Sequence, residues 1–305
     1  MTFMSWLVVF LFALKHNGNV LNGLLALVGI AFAHLATNLF DDYSDYKYDI
    51  GKGVSTSKKA KNKCEYLKSG EATLQQLLRV VIIYCSIAFL IGVYLAFVSG
   101  WGVVILALIG GIITLTYSKI SSAGFSEIYV GTAFGPLLFE GVYYVMCKRF
   151  SLEVLWISLA IVMYTVGLVY MNNLLDYEND VNDGKKSLCV WLGNSKNAAL
   201  GLLGLYCLGY MFTFILASFY KNIVYYLPII TIFYAYEVYR SALSYCLKTD
   251  SGLETKWWYF PLDNWQILKT TGKTSFYLRL FLARNLMIWF SVLMCVAVLF
   301  SYRNL

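Results

Sequence analysis

Seven of the nine aspartates in this 305-residue chain fall in two short clusters: Asp41, Asp42, Asp45 and Asp49, then Asp176, Asp180 and Asp183. Each cluster closes a long apolar run. Asn38, Asp42, Asp45 and Asp49 step by four, three and four residues, and Asn172, Asp176, Asp180 and Asp183 by four, four and three, so each set is expected on one helix face. Carboxylates stacked so closely repel one another, and desolvating them costs roughly several kcal/mol unless a cation neutralises them or their pKa values rise. Mg2+ suits such a site, because it is held by one or two carboxylates together with phosphate oxygens of a substrate. Two opposed aspartate faces therefore imply Mg2+ with a diphosphate between them.

The neighbours of these clusters extend that chemistry. Lys185 and Lys186 follow the second cluster beside Gly184, where a tight turn would let an ammonium reach the same phosphates; an ordinary positive-inside lysine pair is the plainer reading. Lys119, two residues after Tyr117 at the end of the fourth apolar run, reaches the same pocket or serves only to orient the chain. His34 precedes Asn38 by one turn and Asp42 by two. It could bind or deprotonate an acceptor, or be a satisfied core histidine. A metal-bound diphosphate is a good leaving group and an apolar interior suits an isoprenoid tail, so the implied reaction is allylic C–O cleavage. Aromatic faces would stabilise the allyl cation by ~1–2 kcal/mol each when desolvated, although 25 tyrosines are too many for abundance to locate them. Glu140 and Glu237 also lie within apolar runs, and Glu237 pairs by spacing with Arg240 as a structural ion pair.

Composition dictates what positions these residues. With 59% hydrophobic and 13% charged residues and a mean hydropathy of +0.64, the chain reads as an all-α polytopic membrane protein, a single transmembrane domain over 1–305. Apolar runs near 3–15, 20–40, 77–98, 102–118, 126–146, 153–175, 197–219, 223–246 and 281–301 predict about nine transmembrane helices, at ~20 residues per crossing. Lysine and arginine concentrate in the loops 41–76, 119–125, 176–196 and 247–280, which assigns those loops and both aspartate clusters to the cytoplasmic side. The net charge of +7 follows from that asymmetry and from no nucleic-acid surface; anionic lipid or a diphosphate is the better partner, and no protein partner is implied. Seven cysteines without a CxxC pair read as packing residues, and two histidines disfavour zinc or haem. A short helix is expected from Cys64 to Lys68. The aromatic group Trp257, Trp258, Tyr259, Phe260 and Trp265 is expected at the membrane interface or as a lid.

The segments NLFDDYSDYKYD, NNLLDYENDVNDGKKSLCVWLG and SAGFSE resemble the UbiA superfamily of intramembrane aromatic prenyltransferases. Its signature, Asn-x3-Asp-x2-Asp followed by Asp-x3-Asp, reads here as Asn38, Asp42, Asp45 and Asp176, Asp180. In detail the segments look most like the branch that prenylates 1,4-dihydroxy-2-naphthoate for menaquinone. The resemblance implies about nine helices around a central cavity open to the cytoplasm and to lipid, with Mg2+ and a polyprenyl diphosphate held there beside an aromatic acceptor. Carried over by position, Asp42, Asp45, Asp176 and Asp180 are the catalytic, metal-binding residues. Asn38, Asn172 and Lys185 contact substrate, joined by Lys119, Tyr117 and His34. Asp49 and Asp183 are secondary members. Departures from the branch are Asp41, where asparagine is frequent, Trp191, where arginine is common, and the lack of the basic segment usual before helix one, which suggests a late start. The branch implies a bacterial plasma membrane, multi-pass, with the site facing the cytoplasm. The same aspartates would serve transfer to 4-hydroxybenzoate, homogentisate, haem or a lipid alcohol. A cation-coupled transporter is the reading from another class, disfavoured because the carboxylates sit at helix ends beside lysines and the chain has only three prolines.

Overall fold

The computed structural model describes residues 1–51, 64–182, 184–249, 255–269 and 274–301, and among the described residues there is no strand. The apolar runs become rods. α1 (Thr2–Lys15) and α2 (Val20–Gly51) are followed by the short α3 (Glu65–Lys68), then α4 (Leu74–Ser99) and α5 (Gly102–Ser122). α6 (Ser126–Thr132) continues through a π-helical stretch, Ala133–Leu137, into α7 (Leu138–Cys147). α8 (Leu152–Leu175) leads through α9 (Tyr177–Asn182) and α10 (Leu188–Trp191) into α11 (Ser195–Phe219). A 3-10 stretch, Ile223–Thr231, opens α12 (Ile232–Cys246). A 3-10 turn at Trp257–Tyr259 and α13 (Trp265–Leu268) then precede α14 (Thr274–Phe300).

Six of these rods are long and apolar enough to cross a membrane: Val20–Lys47, Leu74–Ser99, Ser126–Cys147, Leu152–Leu175, Ser195–Phe219 and Thr274–Phe300. Thr2–Lys15 and Gly102–Tyr117 are shorter apolar helices. The described residues are therefore all-helical, with several helices of membrane-crossing length. Side chains set several helix starts. Thr73 and Gln76 form a reciprocal capping box at α4, Ser151 accepts from the Val154 amide at α8, and Asn194 accepts from the Asn197 amide at α11.

Three boundaries differ from the sequence expectation. α2 continues past its apolar run to Gly51, so the first aspartate cluster rides on helix and not in a loop beginning at 41. The extension is held by a small core in which Leu39, Tyr43 and Tyr46 pack against Cys64, Leu67 and Leu77. α5 likewise carries Tyr117 and Lys119 inside the helix, which shortens the expected turn at 119–125. α14 begins at Thr274 and not near 281, because Arg279, wholly buried, finds its acceptors inside the protein. The expected helix at Cys64–Lys68 is α3.

α8 is the most enclosed rod, and its packing on α11 uses tyrosines laid over glycines. A Cβ at Gly167 would sit 2.7 Å from the Tyr206 ring, and one at Gly209 would sit 2.7 Å from the Tyr164 ring. Small residues of this kind let helices approach closely where lipid supplies no hydrophobic driving force. Hydrogen bonds bring the aspartate-bearing helix ends to one end of the bundle. Thr37 Oγ1 donates to Thr114 Oγ1 at 3.3 Å between α2 and α5, whose C-terminus turns directly into α6. Asn173 on α8 joins Glu127 on α6 at 2.8 Å, Tyr245 on α12 donates to the Leu175 carbonyl at 3.4 Å, and Arg279 on α14 donates to the Ser241 carbonyl at 2.8 Å.

Candidate active site

The first cluster rests on unbroken helix. Asn38 is exposed, and Asp42 and Asp45 are half-buried. The Tyr66 hydroxyl on α3 donates to Asp42 Oδ2 at 3.0 Å, and the Cys64 thiol faces the Asp42 carbonyl at 3.7 Å. Burial, followed by the bond to Asp42, raises the Tyr66 phenol well above its ordinary range, so it stays a donor throughout the physiological span. The side chain of Asp49 lies outside the described residues.

The second cluster does not lie on one continuous helix, as its spacing suggested. α8 stops at Leu175, Asp176 turns with φ −93° and ψ 8°, and α9 begins at the next residue. Four-residue hydrogen bonds nevertheless persist across the turn, from the Asp176 amide to the Asn172 carbonyl at 3.2 Å and from the Asp180 amide to the Asp176 carbonyl at 2.9 Å. Asn172, Asp176 and Asp180 therefore remain about a turn apart. Asn172 is exposed, Asp176 half-buried and Asp180 only 6% exposed. Lys185 Nζ reaches both carboxylate oxygens of Asp180, at 3.1 and 3.0 Å. Gly184 makes that return possible with φ 66°, a conformation in which a side chain is strained. Asp183 falls outside the described residues.

The remaining residues singled out from sequence are more dispersed. His34 Nδ1 shares a hydrogen bond with Thr2 Oγ1 at 2.8 Å, and its ring meets Phe134 edge-on at 4.9 Å. That ties it to α1 and to the π-helical stretch. Tyr117 is half-buried and Lys119 exposed near the end of α5. Glu237 accepts from Lys256 and from the Tyr259 hydroxyl, both at 2.6 Å, with Arg240 farther off at 3.8 Å, so its role is structural and wider than the expected pair. Glu140 accepts from the Ser151 amide at 3.1 Å.

Among the described residues, no three His, Cys, Asp or Glu side chains converge as a closed metal cage. The all-oxygen donors that would hold an ion here, Asp42 and Asp45 on α2 with Asp176 and Asp180 beyond α8, have the chemistry that Mg2+ takes in open sites completed by water and substrate. Tyr66, Glu127 and Asn173 were not anticipated as parts of this site. Tyr66 sits in a lysine-rich segment without periodicity. Asn173 looks like a mere neighbour of Asn172, and Glu127 appeared only within a familiar segment.

The sequence matches the model of the UbiA prenyltransferase family over residues 2–260. The chain belongs to that family of transferases. Among curated proteins it is similar to the 1,4-dihydroxy-2-naphthoate octaprenyltransferase of Bacillus subtilis, 24% identical over 192 residues, 62% of this chain and 60% of that protein. The match thus spans less than two thirds of that relative. Its fold is similar to that of a UbiA homolog from Aeropyrum pernix K1 (TM-score 0.58, 20% identity, covering 97% of each chain). It is also similar to a UbiA homolog from Archaeoglobus fulgidus bound to GPP and Mg2+ (TM-score 0.52, 14% identity, covering 95% of this chain and 96% of the other). At such identities these structures establish the fold alone.

Proposed function

We propose that this protein transfers a polyprenyl group from a polyprenyl diphosphate to an aromatic acceptor, with 1,4-dihydroxy-2-naphthoate the first candidate. The site faces the cytoplasm at the end of a cavity within about nine membrane crossings. The observation that carries this reading is the pair of aspartate-bearing helix ends, Asn38–Asp45 and Asn172–Asp180, at one end of a UbiA-type bundle, with Lys185 folded onto the second.

Asp42 and Asp45 on one side and Asp176 and Asp180 on the other would hold Mg2+. When bound, Mg2+ supplies charge neutralisation to the diphosphate and makes it a better leaving group. The amides of Asn38 and Asn172 donate to phosphate oxygens, and Lys185, already at the site through Asp180, adds an ammonium. Tyr117 and Lys119 approach the same phosphates from α5. The C–O bond of the allylic carbon then breaks with its electron pair leaving on the diphosphate. The electron-rich ring carbon forms the new C–C bond, and the ring loses a proton, or CO2 from a naphthoate carboxylate. His34, two turns along α2 from Asp42, would bind or deprotonate the acceptor. Apolar helices exclude water from the allyl cation.

The test is detergent-purified protein incubated with labelled polyprenyl diphosphate, Mg2+ and a panel of aromatic acceptors, with products read by mass spectrometry. A prenylated, decarboxylated naphthoquinol is the expected product. Product with another acceptor alone would keep the chemistry and reject the naphthoate; no product with any acceptor would reject the reading.

A further inference from the structure

Glu127 is 3% exposed at the start of α6, and both of its carboxylate oxygens are engaged. Asn173 Nδ2 donates to Oε1 at 2.8 Å, and Ser126 Oγ donates to Oε2 at 2.9 Å. Among the described residues no lysine, arginine or histidine forms an ion pair with it. A lone buried carboxylate is costly, and a glutamine of the same shape would accept from Asn173 without that cost. The charge therefore calls for a role of its own. Its partner Asn173 directly follows Asn172, and Asp176 lies three residues beyond, at the turn where α8 gives way to α9.

We propose that Glu127 is a positioning residue for the second aspartate cluster. Its charge-assisted bond to Asn173 fixes the rotation of the last turn of α8, so that Asn172 is exposed and Asp176 half-buried while Asn173 stays buried. Glu127 does not touch substrate. The inference rests on the prenyl-diphosphate reading given above.

The experiment is equilibrium binding of a labelled, non-cleavable thiolodiphosphate analogue of geranyl diphosphate to the full-length protein across a Mg2+ titration. Wild type, Glu127→Gln, Asn173→Ala and the double variant are compared, with thermal midpoints alongside. Glu127→Gln is expected to raise the Mg2+ concentration for half-maximal binding about fivefold, the order of one charge-assisted hydrogen bond, with its thermal midpoint no lower than that of wild type. The double variant is expected to bind no more weakly than Asn173→Ala, since Glu127→Gln weakens the same contact that Asn173→Ala removes. Unchanged Mg2+ dependence in Glu127→Gln, or strictly additive effects, would overturn the proposal. If Glu127→Gln does not fold, Asn173→Ser carries the same test, because it shortens the donor and leaves the charge; an unchanged titration there is equally fatal. A wild type that binds no analogue at any Mg2+ concentration overturns the prenyl-diphosphate reading itself, and this proposal with it.

Discussion

The phenol of Tyr66 donates to Oδ2 of Asp42 at 3.0 Å, which joins a four-residue helix beyond the bundle to the first aspartate cluster. One of the two Asp42 oxygens is thereby oriented by the protein before any ligand arrives. Tyr66→Phe removes that bond and keeps the ring that packs on the small core. The expected result is about a fivefold rise in the Mg2+ concentration needed for half-maximal activity, corresponding to roughly 1 kcal/mol. An unchanged Mg2+ titration would show that Asp42 needs no such guide.

The same bond has a pH signature. The Tyr66 phenol is raised above its ordinary value of 10.0, first by burial and then by Asp42, so its contribution to docking of α3 is complete below that value and is lost as pH rises through the folded-state value. The protection factors of residues 64–69 against hydrogen exchange are expected to stay constant up to about pH 9 and to fall above about pH 10 in wild type. Tyr66→Phe should abolish the fall.

Lys185 and Asp180 form an ion pair whose lysine is half-exposed, so its effect on stability is small, ~1 kcal/mol or less. Its effect on substrate is expected to be larger. Lys185→Gln should raise the KM for prenyl diphosphate on the order of tenfold while leaving the acceptor KM in place, and Lys185→Arg should recover part of the loss. Steady-state kinetics with each substrate varied in turn decides it; equal changes in both KM values would point to a general loosening.

Residues 256–263 are strapped to α12 and α14. Asn285 Nδ2 donates to the carbonyls of Tyr259 and Pro261 at 2.7 and 2.9 Å, Arg284 reaches the same Pro261 carbonyl and the Asp263 carboxylate, and Lys256 and Tyr259 hold Glu237. Irregular backbone against membrane helices survives only when its polar groups are satisfied by protein. Asn285→Leu is expected to cost ~2 kcal/mol for the stranded carbonyls, and to expose the segment to limited proteolysis near Trp257. Unaltered protease resistance would contradict this.

Arg279 is wholly buried, donating to the carbonyls of Ser241 and Ser275 at 2.8 Å each, with its guanidinium 4.8 Å from the centre of the Tyr245 ring. Tyr245 in turn bonds the last carbonyl of α8. Arg279→Lys is expected to lose ~3 kcal/mol, read as a lowered thermal midpoint in detergent, because one ammonium cannot reach both carbonyls and also stack on the ring. A midpoint equal to wild type would refute that assignment.

Periodicity made α2 and α8 legible, because apolar runs ending in Asn and Asp at turn spacing leave few alternatives. It misplaced the end of α2, since nothing local reveals that Leu39, Tyr43 and Tyr46 would find a second layer in Cys64, Leu67 and Leu77. It also read the second cluster as one helix, although Asp176 breaks it. Glu127, Asn173 and Arg279 stayed invisible for a common reason. Each acquires its meaning from a partner on another element, and a polar residue near the end of an apolar run looks the same whether water or protein satisfies it.

The central claim is that both aspartate clusters act together on a metal-bound prenyl diphosphate. Diphosphate release from labelled farnesyl diphosphate, measured with acceptor present in Mg2+ and again in chelator, tests it in wild type, Asp42→Asn and Asp176→Asn. Release that requires Mg2+ and falls on the order of 100-fold in each variant is the predicted result. Release that survives chelation, or that either variant leaves intact, would contradict the account.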